Sequence, residues 1–67
     1  MDIKQLASNE LGIDISKLQI GKSWRGMYYD DGTQDEYHQY YAPDGRMVVI
    51  TTYADGEVRS GFVHDAD

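Results

Sequence analysis

The chain has 67 residues, no cysteine and a formal net charge of −6. A chain of this length supports one domain with one modest core, and the lack of cysteine excludes disulfide bonds and thiolate metal sites. Residues 1–12 have no basic start followed by a long apolar run, and no stretch approaches the length of a membrane span. We therefore expect a cytoplasmic protein with no signal peptide and no contact with membranes.

The negative charge is concentrated in the second part of the chain. Residues 1–23 carry equal numbers of acidic and basic side chains, whereas residues 24–67 carry nine acids against three arginines. An electrostatic field of this sign repels phosphate backbones and attracts basic surfaces. We expect no direct binding of nucleic acid, and a partner that presents a basic protein surface.

The N-terminal segment has the pattern of a short amphipathic helix over about residues 2–11. Asp2 is a suitable N-cap, and Gly12 can adopt the left-handed conformation that ends a helix. Four apolar residues share one face at helical spacing: Ile3, Leu6, Ala7 and Leu11. This face is predicted to lie against the core.

The next segment, 12–23, is too short between its glycines for a second full helix. We expect a crossover that is either irregular or contains a single helical turn capped by Asp14. Four of its apolar side chains are predicted to enter the core: Ile13, Ile15, Leu18 and Ile20.

From Trp24 onward the apolar residues follow the period of β-strands. Three Asp-Gly pairs, which begin at Asp31, Asp44 and Asp55, separate strand-like runs, and this combination is typical of β-hairpins because glycine accepts positive φ. The strands of the resulting antiparallel meander are predicted near residues 24–29, 36–42, 46–53 and 57–63, with a short acidic tail at 64–67. The predicted fold is a single α+β domain, with the N-terminal helix packed on one face of a four-stranded antiparallel sheet.

Two of the turns predict the register of the sheet. If 43–45 and 54–56 form three-residue loops, Tyr40 lies opposite Val48, and Val48 lies opposite Phe62. The face predicted to take the helix holds His38, Tyr40, Val48, Ile50, Val58 and Phe62. The opposite face holds Tyr37, Gln39, Tyr41, Met47, Val49, Thr51, Tyr53, Arg59, Gly61 and Val63, with Met27 and Tyr29 from the first strand. Trp24 is expected to fill the edge of the core. The register of the first hairpin is left open, because residues 33–35 could lengthen its loop and move Trp24 and Met27 between the two faces.

The face without a helix, together with the acids near it, is the candidate functional site. One helix covers one side of a sheet, and an exposed patch rich in Tyr, Met and Val marks an interaction surface. The first and third turns of a meander share one end of the sheet, so their carboxylates are expected beside the tyrosines. The predicted partner-binding residues are Tyr29, Asp30, Asp31, Asp35, Glu36, Tyr37, Tyr41, Tyr53, Asp55 and Glu57.

The sequence does not indicate a catalytic, metal or cofactor site. His38 and His64 are predicted at opposite ends of different strands, without metal-ligand spacing. The acidic run 30–36 lacks the alternating acids and the terminal glutamate of an EF-hand, which leaves only weak calcium binding open. The segment 21–23 ends like a phosphate-binding loop but lacks the required preceding glycine. We expect a non-enzymatic protein without a cofactor.

The chain resembles the small acidic inhibitors of phages and other mobile elements. The shared features are small size, lack of cysteine, an acidic β-rich body, a tyrosine-rich face and a single helix. The best-known group is the anti-CRISPR proteins, some of which are DNA mimics. The resemblance implies that carboxylates such as Asp30, Asp31, Asp35 and Glu36 replace phosphates in a basic nucleic-acid channel inside a bacterial host cell. The Lys and Arg side chains of such a channel are already positioned for negative charge.

A structural or assembly role is the alternative. In a homodimer, the open side of the sheet would pair with itself and bury Tyr37, Tyr41 and Tyr53 against their symmetry mates. Charge-driven binding to a partner weakens steeply with added salt, whereas a dimer buried through tyrosines is nearly indifferent to it.

Overall fold

The computed structural model describes residues 2–64, and the side chains of residues 2–61. Over this part of the chain, the helix α1 (Ile3–Leu11) is followed by a 3₁₀ turn (Ile15–Lys17) and four strands. The strands are β1 (Gln19–Arg25), β2 (Glu36–Tyr41), β3 (Met47–Thr52) and β4 (Val58–His64). They form one antiparallel sheet in the order β1-β2-β3-β4, and α1 packs on one face of it. The predicted α+β class is confirmed.

Both ends of α1 are capped as predicted. A carboxylate oxygen of Asp2 accepts a hydrogen bond from the backbone N–H of Lys4 at 3.0 Å. Gly12 has a φ of 68°, and the next residue, Ile13, donates its N–H to the carbonyl of Ser8 at 3.1 Å. Backbone groups that a helix leaves unpaired at its ends are thereby satisfied.

The core lies between α1 and the three strands β2, β3 and β4. Its buried apolar residues are Ala7, Leu11, Tyr40, Ala42, Val48 and Ile50. Partly buried residues pack around them: Ile3, Leu6, Ile13, Leu18 and Val58. Among the described residues, α1 makes no contact with β1. On the helix side, β1 is therefore an uncovered edge strand.

The crossover contributes less to the core than predicted. Ile13 and Leu18 pack against the core, but Ile15 is 41% exposed and Ile20 is 66% exposed. Ile15 lies in the 3₁₀ turn that Asp14 caps, and Ile20 lies on β1, where the helix does not reach. Apolar character alone did not distinguish these two positions from the two that pack.

The first strand lies earlier in the chain than predicted, at residues 19–25 instead of 24–29. This stretch lacks alternating apolar residues, and its Gly21 has the appearance of a strand breaker. A Cβ at Gly21 would lie 2.5 Å from Cε2 of Tyr41, so the glycine provides the space in which that ring lies against the strand. A ring from the neighbouring strand thus covers a position that has no side chain of its own.

All three Asp-Gly turns have the same hydrogen bonds. In each turn, the residue two positions before the Asp donates its N–H to the carbonyl of the residue that follows the Gly. The residue that follows the Gly also donates its own N–H to the Asp side chain. The closing pairs are Tyr29/Thr33, Ala42/Arg46 and Tyr53/Glu57, at 2.8, 2.9 and 2.7 Å. Gly32, Gly45 and Gly56 have φ values of 84°, 91° and 92°. The three-residue loops predicted at 43–45 and 54–56 are confirmed.

The strands β2 and β3 pair in the predicted register, but the pairing of β3 with β4 changes along its length. Val48 pairs with Val63 and not with Phe62, because a bulge places one extra residue of β4 opposite Val49. A Cβ at Gly61 would lie 2.7 Å from the carbonyl oxygen of Val49, so glycine permits this close approach. The predicted faces of Phe62 and Val63 lie outside the described side chains, and the predicted acidic tail lies largely outside the described residues.

Replacing Ile50 by valine tests the position of the core. Ile50 is fully buried, so losing one methylene group is expected to lower the free energy of unfolding by about 1 kcal/mol. The same substitution at Ile20, which is 66% exposed, is expected to change it by less than about 0.5 kcal/mol. Urea unfolding followed by circular dichroism measures both changes. Equal losses in Ile50→Val and Ile20→Val would contradict the placement of Ile20 outside the core.

Candidate functional site

The side of the sheet away from α1 carries aromatic and polar side chains, and we call it the open face. Its residues are Trp24, Tyr37, Gln39, Tyr41, Met47, Val49, Thr51 and Arg59, which the strand pairing and the alternation of side chains place together. The ring of Trp24 stacks on the ring of Tyr37, with centroids 5.5 Å apart and 20° between the planes. The two rings form one continuous aromatic surface at the β1 edge of this face.

Trp24 does not fill the core as predicted. It is 44% exposed and lies on the open face, because β1 pairs it with Tyr37 and pairs the preceding Ser23 with His38. The first strand ends earlier than predicted and the connection to β2 is longer, and this is the alternative that moves Trp24 to the other face. The largest side chain of the protein is therefore available at the surface.

The connection between β1 and β2 extends the hairpin beyond the sheet. The N–H of Gly26 donates to the carbonyl of Asp35 at 2.9 Å, and the side-chain amide of Gln34 donates to the carbonyl of Gly26 at 2.9 Å. Met27 and Tyr28 lie between these bonds and the turn at 29–33, and they are 90% and 72% exposed. These two side chains have the highest exposure among the large hydrophobic residues that the structure describes.

The first and third turns meet at one end of the sheet and enclose a cleft of about 520 Å³. We call this the acidic cleft, and its lining residues are Tyr29, Asp30, Asp31, Thr33, Asp35, Tyr53, Ala54 and Asp55. Six of the residues predicted from the sequence to bind a partner are among them. None of the lining residues is basic. The meander topology thus brings four carboxyl groups and two tyrosines to one place.

Asp35 joins the two turns that form the acidic cleft. It is only 8% exposed, its Oδ2 accepts a hydrogen bond from the hydroxyl of Tyr29 at 2.6 Å, and its Oδ1 accepts one from the N–H of Ala54 at 2.8 Å. A buried carboxylate is tolerated when hydrogen-bond donors satisfy its oxygens. Sequence reasoning grouped Asp35 with the partner-binding acids, but both its oxygens are engaged within the chain.

The hydrogen bonds in the cleft also shift the pKa values of Tyr29 and Asp31. The bond to Asp35, with smaller contributions from desolvation and from the nearby negative charge, raises the pKa of Tyr29 to about 12. The hydroxyl and the backbone N–H of Thr33 both donate to Asp31 and lower the pKa of its carboxyl group. Both shifts reinforce the states that these groups have at neutral pH with their ordinary pKa values of 10.0 and 3.8: Tyr29 is a neutral phenol and Asp31 is a charged carboxylate.

Two of the predicted acids lie outside the acidic cleft and pair with arginines. Glu36 lies 3.8 Å from Arg25 across the β1–β2 ladder, and Glu57 lies 2.7 Å from Arg59. The guanidinium carbon of Arg59 also lies 6.0 Å from the ring centroid of Tyr53. Exposed pairs of this kind contribute at most about 1 kcal/mol each, so they set local geometry more than overall stability.

Two of the predicted tyrosines also lie outside the cleft. Tyr37 is half-buried between its neighbours on the open face, where a Cβ on Gly26 would lie 3.3 Å from its ring. Tyr41 lies against Gly21 at the opposite end of the sheet from the acidic cleft. The structure therefore does not unite Tyr41 with the acids.

Sequence reasoning missed Tyr28 and the exposed position of Trp24. One feature of the sequence indicates the loop: Met27, Tyr28 and Tyr29 form an apolar run without alternation just before a turn. A strand with one solvated face rarely has such a run, because its side chains point alternately to core and solvent.

Among the described residues, no three His, Asp or Glu side chains converge as metal ligands do. Within the same part of the chain, no helix has the length and apolar character needed to cross a membrane. Comparisons with models of protein families, with curated proteins and with solved structures returned no match. The function is therefore inferred from the residues of the chain itself.

Asp35→Ala tests the link between the two turns. It leaves the N–H of Ala54 and the hydroxyl of Tyr29 without their acceptor, so we expect a loss of about 1–3 kcal/mol in unfolding free energy. Hydrogen exchange at the Ala54 amide should accelerate more than exchange in β3. Asp30→Ala is the matched control, because Asp30 takes part in none of the hydrogen bonds and ion pairs found among the described residues. Equal losses in the two variants would contradict this role of Asp35.

The raised pKa of Tyr29 predicts an alkaline loss of stability. Its folded pKa of about 12 lies above the ordinary value of 10.0, so the fold favours the protonated phenol. This contribution is complete below pH 10 and is lost as the pH rises from 10 to 12. Tyr29→Phe lacks the contribution at every pH and should show a shallower decline over this interval, in thermal unfolding at a series of pH values. Identical declines in the two proteins would show that the hydrogen bond does not control this titration.

Proposed function

We propose that the protein is a stoichiometric inhibitor, which binds the basic nucleic-acid-binding surface of a partner protein or complex and competes with nucleic acid there. The observation that carries this proposal is the acidic cleft, where Asp30, Asp31 and Asp55 lie beside two tyrosines with no basic side chain in the lining. Inhibition by mimicry of nucleic acid is also the activity that the resemblance to small acidic mobile-element inhibitors implies.

Charge supports this proposal in two ways. The chain carries a formal net charge of −6, and residues from two different turns concentrate part of it in one cleft. A field of this kind speeds the encounter with a basic surface. A surface built to bind phosphates already presents Lys and Arg side chains, so a cluster of carboxylates is a suitable competitor.

Exposed aromatic and apolar residues of the first hairpin, between β1 and β2, supply contact area that charge does not. Trp24 is 44% exposed, and Met27 and Tyr28 are 90% and 72% exposed. Aromatic residues and methionine are enriched at protein interfaces, where a few of them contribute most of the affinity. The first hairpin therefore combines a salt-dependent and a salt-independent means of binding.

Self-association through the open face is the alternative function. Thr51 on this face is only 8% exposed, and Tyr37 and Tyr41 are already half-buried against their own sheet. Less of the open face is therefore available for a symmetric partner than the tyrosine content of the sequence suggests. The mass of the protein in solution distinguishes the alternative from a monomeric inhibitor.

Neutralising three acids of the cleft tests the proposed function. The tagged protein is expected to capture a nucleic-acid-binding complex from a lysate of its native host, and duplex DNA or high salt should release that complex. A triple variant, Asp30→Asn/Asp31→Asn/Asp55→Asn, should weaken the capture by about tenfold or more, since each exposed charge pair contributes up to about 1 kcal/mol.

The matched control is Glu10→Gln/Asp14→Asn/Asp44→Asn, which removes the same charge outside the cleft. It also alters two Asp residues that cap backbone N–H groups, as the test variant does. Equal losses of capture in both variants would assign the effect to net charge and not to the cleft. A dimer that captures no partner at either salt concentration would replace the inhibitor hypothesis with self-association.

A further inference from the structure

The two tyrosines of the acidic cleft present ring surface next to its carboxylates. Tyr29 is 50% exposed and Tyr53 is 38% exposed, and both line the cleft. The hydroxyl of Tyr29 is held by Asp35, so its ring has a fixed position relative to the third turn. The face of an aromatic ring attracts a cation, and the attraction increases where water is partly excluded.

The carboxylates of the cleft have free capacity to accept hydrogen bonds. Oδ1 of Asp31 accepts the N–H and the hydroxyl of Thr33 at 3.0 and 2.6 Å, and Oδ1 of Asp55 accepts the N–H of Glu57 at 2.9 Å. Among the described residues, their Oδ2 atoms and both oxygens of Asp30 accept none of the hydrogen bonds found. A carboxylate accepts through both of its oxygens. The cleft can therefore accept several further hydrogen bonds from a donor group.

The third turn already shows which cation suits this combination of groups. The guanidinium of Arg59 lies over the ring of Tyr53 and donates to Oε1 of Glu57 through Nε and Nη2, at 3.1 and 2.7 Å. Arg59 does not line the cleft, so it leaves the cleft itself without a cation. The third turn thus holds Arg59 between Tyr53 and Glu57, and the same Tyr53 also lines the cleft together with Asp55.

We infer that the acidic cleft binds one arginine side chain of the partner, an inference that rests on the proposed function for its biological context. A guanidinium is planar, donates five N–H groups in a fixed fork and stacks on aromatic rings, whereas a lysine ammonium is a compact point charge. A metal ion is disfavoured, because no three of the described acidic or histidine side chains converge as ligands. The cleft, at about 520 Å³, has room for the guanidinium and several water molecules.

Titration with a capped arginine tests this inference directly. N-acetyl-arginine amide is added to the isotope-labelled protein, and the same titration is made with the lysine and citrulline counterparts. Arginine should shift the backbone amides of Tyr53 and Ala54 and the ring signals of Tyr29. Lysine should bind about two- to fivefold more weakly, and citrulline, which has a similar shape without charge, should leave the cleft signals unchanged.

Two single variants make the titration specific for the cleft. Asp30→Asn should weaken arginine binding about two- to fivefold, and it leaves the hydrogen bonds of the turn intact. Asp44→Asn removes the same charge from the turn at the opposite end of the sheet and should leave the affinity unchanged. Equal shifts with citrulline, or equal weakening by Asp44→Asn, would overturn the inference.

The outcomes for the arginine site and for the inhibitor are separable. If capped arginine binds the cleft but the triple variant of the cleft acids still captures its partner, the arginine site stands and the proposed function fails. If capture depends on the cleft acids but arginine does not shift the cleft signals, the proposed function stands and the inference fails.

Discussion

One short helix has to stabilise a four-stranded sheet, and most features of this molecule follow from that constraint. The helix α1 has nine residues and, of the four strands in the described part of the chain, contacts β2, β3 and β4 but not β1. Burial of apolar surface is the main favourable contribution to folding, so the core is confined to the area under this helix. The edge strand β1 and the whole open face must be stabilised in other ways.

The chain stabilises these uncovered regions with rings, glycines and turn hydrogen bonds. Tyr41 lies against Gly21, and Tyr37 lies near Gly26 and under Trp24, so aromatic rings shield the backbone where no helix does. The three Asp-Gly turns repeat one set of hydrogen bonds, which fixes the strand connections without a large core. The same solution leaves large aromatic side chains in contact with solvent, and residues of this kind are enriched at protein interfaces in general.

The parts of the fold that sequence predicts well are those controlled by local chemistry. Residues close in sequence determine the caps of α1 and the turns after β2 and β3. The turn after β2 in turn sets the register of β2 with β3. Convergence of the acids at one end of the sheet also follows from the meander alone. The bounds of β1 and the bulge in β4 cannot be predicted from local sequence. Gly21 is explained only by Tyr41 on the neighbouring strand, and Gly61 only by Val49. The role of Asp35 was likewise hidden, since its partner Ala54 is nineteen residues away.

The acids of this protein differ in what the fold requires of them, and the difference bears on function. Asp31, Asp44 and Asp55 hold the turns in place, and Asp35 joins two of them, so these four acids have structural reasons to be present. The residue before each turn Asp is Asp30 in the first turn, proline in the second and alanine in the third. The hydrogen bonds of the turn thus form with or without a charge at this position. Asp30 therefore adds to the lining of the cleft a charge that the hydrogen bonds of the turn do not require, and the electrostatic partner that we propose would account for it.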